Sequence, residues 1–176
     1  DGLVQLASII CNTPIALISL IDDKRQWYKA KVGIENSEVP REETICQYTI
    51  AQDNLLEIRD TLLDDRSRTK PAVAVENGIR YYAGLPLKEE SGYAIGTVCV
   101  VDTKPRELNE DQKKALEIIA EQAMSLLAVR KKNADLGNEL EDVLQQKIRE
   151  TQELLSQKEI EYNNLGQPIN IITIDS

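Results

Sequence analysis

Apolar positions come in short runs broken by turn residues up to about residue 108, and from Asn109 they settle into one long helical rhythm. Leu3, Leu6, Ala7, Ile10 and Cys11 recur at helical spacing and predict an amphipathic opening helix. Asn12-Thr13-Pro14 stops it, because proline lacks a backbone donor and disfavours helix in the residue before it. Ile15 to Ile21 is an apolar run of strand length. Asp22-Asp23-Lys24 links it to Gln26–Val32, whose alternation predicts a half-exposed strand, and Gly33 ends the hairpin. Pro40 and the acids Glu42 and Glu43 predict a second helix carrying Ile45, Tyr48, Thr49 and Gln52, since acids suit the positive end of a helix. Leu55 to Ile58 reads as a short strand. Asp60 to Gly78 has mixed charge and little periodicity, which predicts a long loop with at most one helical turn, a length that is usually functional. Ile79–Leu87 and Tyr93–Asp102 are the best strands, joined through Gly92. Gly84 and Gly96 inside them predict a bulge or a close backbone approach, and Pro86 predicts that its strand ends there.

Asn109 can cap a helix that meets no proline or strong turn signal before Gly166, a span of about 50 residues against ~12 for an average helix. Ile119, Leu126, Val129, Leu136, Leu140, Val143 and Leu154 follow steps of three and four, with Gln122, Asn133, Lys147, Glu150 and Gln157 filling the remaining positions. That is a heptad seam. Up to about Val129 the helix is rich enough in Ala, Ile and Leu to pack on the preceding domain as well. Beyond it only the seam is apolar, and a lone helix of that composition is marginal in water. A parallel coiled coil between two copies is the simplest partner, with Leu126, Val129, Asn133, Leu136, Leu140, Val143 and Leu154 as its dimer seam and polar Asn133 setting the register. A solvated, unpaired helical tail is the alternative.

At 176 residues the chain holds one domain and an appendage, and its net charge of −9 argues against nucleic acid or an anionic membrane as partner. No apolar run approaches the ~20 residues of a membrane span. The expected location is cytoplasmic, because the cysteines read as reduced thiols; the chain opens directly on an amphipathic stretch, without a basic leader and apolar signal region. Three widely spaced cysteines, Cys11, Cys46 and Cys99, form neither a disulfide framework nor a zinc motif, and each has apolar neighbours, as buried reduced thiols do. The chain has no histidine. That removes Ser-His-Asp and Cys-His nucleophile pairs, imidazole metal sites, His-ligated haem and a histidine phosphorelay. No catalytic constellation remains, and the chain is expected not to be an enzyme. The acids Asp60, Asp64 and Asp65 fit no EF-hand spacing, so no metal site is expected, and nothing in the pattern points to a particular cofactor.

The strings LASIICNTPIALISLIDDKRQWYKAKVG at 6–33, Pro40-Arg41-Glu42 followed by Cys46, IRYYAGLPL at 79–87 and GYAIGTVCVVDTKPRELNEDQ at 92–112 together resemble GAF sensor domains of bacterial signalling proteins. The resemblance implies an α+β, GAF/PAS-like central antiparallel sheet flanked by helices, with the long C-terminal coiled-coil helix passing a signal to an output module. It implies a GAF domain over 1–129, a signalling helix over 130–162 and a tail over 163–176. Family members often carry Phe and His near the second-helix cysteine, where this chain has Ile45-Cys46-Gln47-Tyr48. The resemblance therefore implies fold and sensory role, with the ligand an unknown small molecule. The segment from Asn163 to Ile172 is similar in layout to the phosphoacceptor box of histidine kinases, with Asn163 in the place of the histidine. An amide cannot be that nucleophile, so such a box is degenerate.

The candidate ligand-binding residues are Trp27, Tyr28, Cys46, Arg66, Arg80, Tyr82 and Thr97. Strand alternation lets only one of Trp27 and Tyr28, and one of Tyr81 and Tyr82, face a pocket. Arg66 and Arg80 offer planar forks to an anion, although an ion pair of Arg66 with Asp64 or Asp65 is the simpler expectation. Two other functions fit the family. One is a thiol reductase for free methionine sulfoxide, which needs two cysteines that meet, whereas Cys11 and Cys99 are expected in the core and leave Cys46 alone. The other is a dimerisation scaffold whose pocket is filled by its own side chains.

Overall fold

A computed structural model describes residues 1–164 and Gly166. Among these residues four α-helices, α1 (Gly2–Cys11), α2 (Cys46–Thr49), α3 (Pro71–Ala74) and α4 (Glu110–Asn164), accompany six strands. The strands are β1 (Ile15–Ile21), β2 (Arg25–Val32), β3 (Glu38–Pro40), β4 (Leu56–Ile58), β5 (Tyr81–Lys88) and β6 (Ala94–Asp102). They form one antiparallel sheet in the order β3-β2-β1-β6-β5-β4. The longest strands, β2, β5 and β6, are thus inside it.

Alternation along β6 divides the interior into two cores. Val98 and Val100 turn to one face, where Ala16, Ile18, Tyr81 and Ala83 pack with Val4, Ala7 and Cys11 of α1 and with Leu116, Ile119, Ala120 and Ala123 of α4. Cys99 and Val101 turn to the other face, joining Leu17, Ile45, Cys46, Leu56, Ile58 and Tyr82. Such two-sided burial makes β1, β5 and β6 read as near-continuous apolar runs.

Two expectations are corrected. In place of a second helix from Pro40, the chain makes β3, a 3-10 turn at Arg41–Glu43 and the short α2. Pro40 and Thr44 are extended, and Thr44 Oγ1 spends its hydrogen bond on the Arg41 carbonyl at 3.0 Å, so no long helix can propagate. Pro86 does not end β5, which continues to Lys88 opposite β6. On its other side β4 reaches only as far as Gly84, so no outer strand needs the missing donor of Pro86. The ladder irregularity between Leu87 and Lys88 lies next to Gly96, the partner of Leu87, whereas the one between Ile18 and Ser19 involves neither glycine. Both glycines serve close approach, as expected. A Cβ on Gly96 would strike the Ser19 carbonyl, and one on Gly84 would strike the Tyr82 ring lying over it.

The chain divides into two units, residues 1–128 and 129–176. Helix α4 starts with a reciprocal cap: Gln112 N–H donates to Asn109 Oδ1 at 2.9 Å, and Asn109 N–H to Gln112 Oε1 at 3.1 Å. Ile119, which shares the heptad rhythm, is buried in the first unit's core and is not free for a seam. In the second unit Val129, Leu136, Leu140, Val143 and Leu154 are exposed, and Leu144, Ile148, Leu155 and Ile160 widen their stripe. Leu126, in the first unit, is exposed as well. Asn163 lies in the last helical turn; Leu165 and the rest of the kinase-like layout from Gln167 lie outside the described residues. Among the described residues no helix is long and apolar enough to cross a membrane.

Candidate functional site

A cavity of about 110 Å³ lies on the sheet face opposite α1 and α4. Its floor is Leu17, Gln26, Tyr28, Tyr82, Cys99 and Val101, and its roof is Thr44-Ile45-Cys46 with Pro71-Ala72 of the long 60–78 loop. The roof is tied together by Lys70, whose ammonium reaches the Glu42 carbonyl and sits 5.3 Å from the centre of the Tyr48 ring. Exposed Glu43, Pro71 and Ala72 ring the mouth, while the floor residues Gln26, Tyr82 and Cys99 are buried.

The irregularity in the β1–β2 ladder selects which aromatic enters. Ile18 pairs with Ala30 and Ser19 with Tyr28, so Lys29 is an extra residue. Tyr28 and Gln26 thereby share the pocket face, and Trp27 points away from it, with Lys29 Nζ 5.4 Å from its ring centre. On β5 the same alternation sends Tyr82 to the pocket and Tyr81 to the opposite core.

Polar side chains converge on Cys46. Gln26 Nε2 donates to its Sγ at 3.3 Å and the Tyr82 hydroxyl at 3.2 Å, and Cys99 Sγ lies 3.9 Å away. Gln26 Nε2 also donates to Ser19 Oγ at 3.0 Å, and Ser19 is paired with Thr97 Oγ1 at 2.9 Å. The Cys99 thiol, assisted by Thr97, Tyr82 and Gln26, holds the Cys46 thiol below its ordinary range, although burial works the other way. The contact with Cys46 and burial push Cys99 well up. Burial likewise raises Tyr28 and Tyr82. Gln26 is 2 % exposed, and its Oε1 has no hydrogen-bond partner. A buried acceptor left unsatisfied costs about 1–3 kcal/mol, so it is a natural point for a ligand donor.

Of the sequence-derived candidates, Tyr28, Cys46 and Tyr82 line the cavity, and Thr97 is buried behind the lining. Trp27 is not among them. Arg66 is held by Asp64 through contacts of 3.0 and 2.7 Å, and Arg80 by Asp60 at 3.0 and 2.6 Å, so neither arginine points a free fork at the cavity. Each arginine lowers the pKa of its aspartate partner. Among the described residues no three metal-ligating side chains gather. Cys99 is a correction: it lies in the core, as expected, but it also meets Cys46.

Sequence reasoning missed Gln26 and Glu57. Gln26 was legible from sharing the strand face of Tyr28. Glu57 of β4 lies between Leu56 and Ile58, which belong to the pocket-side core, and turns to the opposite face of the sheet. Its Oε1 accepts from Tyr81 Oη at 2.8 Å and from Leu108 N–H at 2.8 Å, just before α4, and Lys113 Nζ lies 3.8 Å from its Oε2. A wider groove of about 890 Å³ runs alongside this contact, lined by exposed charges of Asp53, Glu110 and Asp111.

The family described as GAF domain matches residues 1–127. Over 106 residues the chain is 40% identical to a cyclic di-GMP phosphodiesterase of Pseudomonas aeruginosa, covering 60% of this chain but only 18% of that protein. Among solved structures, the GAF domain of an Acinetobacter phosphoenolpyruvate-protein phosphotransferase aligns with a TM-score of 0.63 at 13% identity, over 77% of this chain and 83% of that one. A domain of a putative two-component sensor histidine kinase from Sinorhizobium meliloti gives 0.60 at 18% identity, over 76% and 92%. Free methionine-R-sulfoxide reductase from Neisseria meningitidis, in complex with its substrate, gives 0.59 at 14% identity, over 75% and 79%. At these identities the structures establish a shared fold.

Proposed function

The chain belongs to the GAF domain family, and from that premise we propose that it is a non-catalytic sensory domain that binds a small molecule in the cavity under the 60–78 loop. The observation that carries this reading is the buried Gln26 Oε1, an acceptor without a partner on the cavity floor. A molecule of few heavy atoms with a hydrogen-bond donor matches it. Binding shifts an equilibrium only as far as the ligand favours one arrangement over the other. β4 supplies a route for that preference: Leu56 and Ile58 pack in the pocket-side core, and Glu57 between them holds the backbone that leads into α4. The signal then travels along α4, paired with a second copy through Leu126, Val129, Asn133, Leu136, Leu140, Val143 and Leu154, as a change of register or rotation. The output module lies in the parent signalling protein.

Native mass spectrometry of freshly purified protein tests the binding. A bound small molecule in the wild type that is lost from Gln26→Leu supports it. A protein that stays bare, and whose melting no small polar compound shifts, overturns it.

The 3.9 Å approach of Cys46 and Cys99 favours a second reading, a thiol reductase for free methionine sulfoxide. Loss of titratable thiol on incubation with methionine sulfoxide supports that reading, and an unchanged titre removes it.

A further inference from the structure

All three cysteines are buried. Cys46 and Cys99 line the cavity. Cys11 packs in the other core, where burial pushes its thiol up to about 11. A cysteine that serves only as packing needs no donors around its sulfur. Cys46 Sγ gathers the Gln26 amide, the Tyr82 hydroxyl and the Cys99 thiol, all on the floor side of a small cavity. Because the single Tyr82 hydroxyl proton is directed at the sulfur, Thr49 Oγ1, 2.6 Å from Tyr82 Oη, is left to be the donor between the two hydroxyls. Donors converging on one sulfur favour its thiolate, the form in which a thiol attacks.

We infer that Cys46 and Cys99 are a redox-active pair, which a small hydroperoxide entering the cavity converts to a disulfide. The Cys46 thiolate attacks one peroxide oxygen and the O–O bond breaks. The leaving alkoxide or hydroxide takes up the proton that Cys46 had released, and Cys46 becomes a sulfenic acid. The Cys99 sulfur then attacks the Cys46 sulfur. The S–S bond forms, the S–O bond breaks, and hydroxide departs with the Cys99 proton as water. Two thiols supply the two electrons that reduce one peroxide, and no other reactant takes part. The cavity, at about 110 Å³, is smaller than the ~150 Å³ that admits benzene, so it suits a peroxide of few heavy atoms.

A disulfide requires the sulfurs to close by roughly 2 Å from their present separation. Cys99 is fixed on β6, which is paired on both sides, whereas Cys46 opens the four-residue α2. It is therefore α2 that descends, and the roof comes down on the floor. Oxidation would empty the same cavity that the proposed ligand occupies. The two thiols share that cavity, and their chemistry does not depend on ligand binding.

The test takes the reduced full chain, adds hydrogen peroxide in stoichiometric steps, and then denatures, alkylates and maps the peptides without reduction. The expected result is a Cys46–Cys99 cross-link, a fall from three free thiols to one, Cys11 recovered alkylated, and reversal by dithiothreitol. Oxidation of Cys46 should outpace that of Cys11 by roughly tenfold or more. Cys99→Ser should trap a sulfenic acid at Cys46 that reacts with dimedone, and Cys46→Ser should leave Cys99 reduced. Survival of all three thiols, equal oxidation of Cys11, or a disulfide between two chains in place of the Cys46–Cys99 bond overturns the inference. So does thiol loss to methionine sulfoxide but not to peroxide. Mapping the wild type needs no variant, so a misfolded mutant does not obscure the outcome. A bare native mass spectrum beside a positive peptide map would overturn the ligand proposal alone.

Discussion

The Tyr82 hydroxyl stands 2.6 Å from Thr49 Oγ1 and 3.2 Å from Cys46 Sγ, so one side chain of β5 is bonded to both ends of α2. It gets there because Gly84, two residues along the same strand face, leaves room for the ring to lie across the backbone. A helix of four residues has almost no internal hydrogen bonding to hold it, and packing and these contacts fix it over the pocket.

Tyr82→Phe keeps the ring and removes this tie, leaving the fully buried Thr49 hydroxyl without its Tyr82 partner. The expected loss is about 1–2 kcal/mol, read as a lower melting temperature. Cys46 should also react more slowly with peroxide, having lost a donor. Unchanged stability together with unchanged thiol reactivity would show that the hydroxyl holds nothing.

The two-faced sheet was legible because its signal is periodic: the apolar run from Ile15 to Ile21 coincides with β1, and the runs for β5 and β6 differ from the strands by a residue or two at their ends. Family strings added the order of the elements. The site was harder, for a physical reason. Cys46 and Cys99 are 53 residues apart, and the contact between them depends on which face each strand residue takes and on a helix collapsing to one turn. Alternation alone put Cys99 opposite Val98 and Val100; only the fold put Cys46 above it. Arg80 looked like an anion ligand from its chemistry, yet Asp60 already occupies its donors, while Arg66 forms the ion pair with Asp64 that its neighbours suggested.

Glu57→Ala should cost more than an ordinary surface change. It strips the acceptor from both the Tyr81 hydroxyl and the Leu108 amide, each belonging to a buried residue. A loss of about 2–4 kcal/mol is expected for two orphaned donors, partly relieved where water can enter. Hydrogen exchange should rise at Leu108 and in the first turn of α4 before it rises in α1. Uniform loosening of all elements would mean that Glu57 supports the fold but does not couple β4 to the helix.

Acid should loosen the 60–78 loop through Asp60 and Asp64. Arg80 and Arg66 hold these carboxyls below their ordinary value of about 3.9, so the unfolded chain takes up protons first as pH falls. Their contribution to stability is complete above the unfolded value and disappears as pH drops through the lower folded value. Melting curves between neutral pH and about pH 2 should therefore be less steep in acid for Asp60→Asn than for the wild type. Parallel pH profiles for the two proteins would show that the Arg80–Asp60 pair is too well solvated to matter.

Leu136 and Leu140 are both more than half exposed on a helix whose other surfaces are polar. Isolated helices of this kind are marginal in water, and a second copy laid along the stripe would cover the seam. Leu136→Glu with Leu140→Glu places charges in the centre of that contact and adds like-charge repulsion between chains. Sedimentation should then show a dimer for the wild type and a monomer for the double variant, with helical ellipticity reduced and the melting of residues 1–128 unchanged. A wild type that sediments as a monomer at high concentration, with its helix content intact, would remove the pairing and with it the proposed path of the signal.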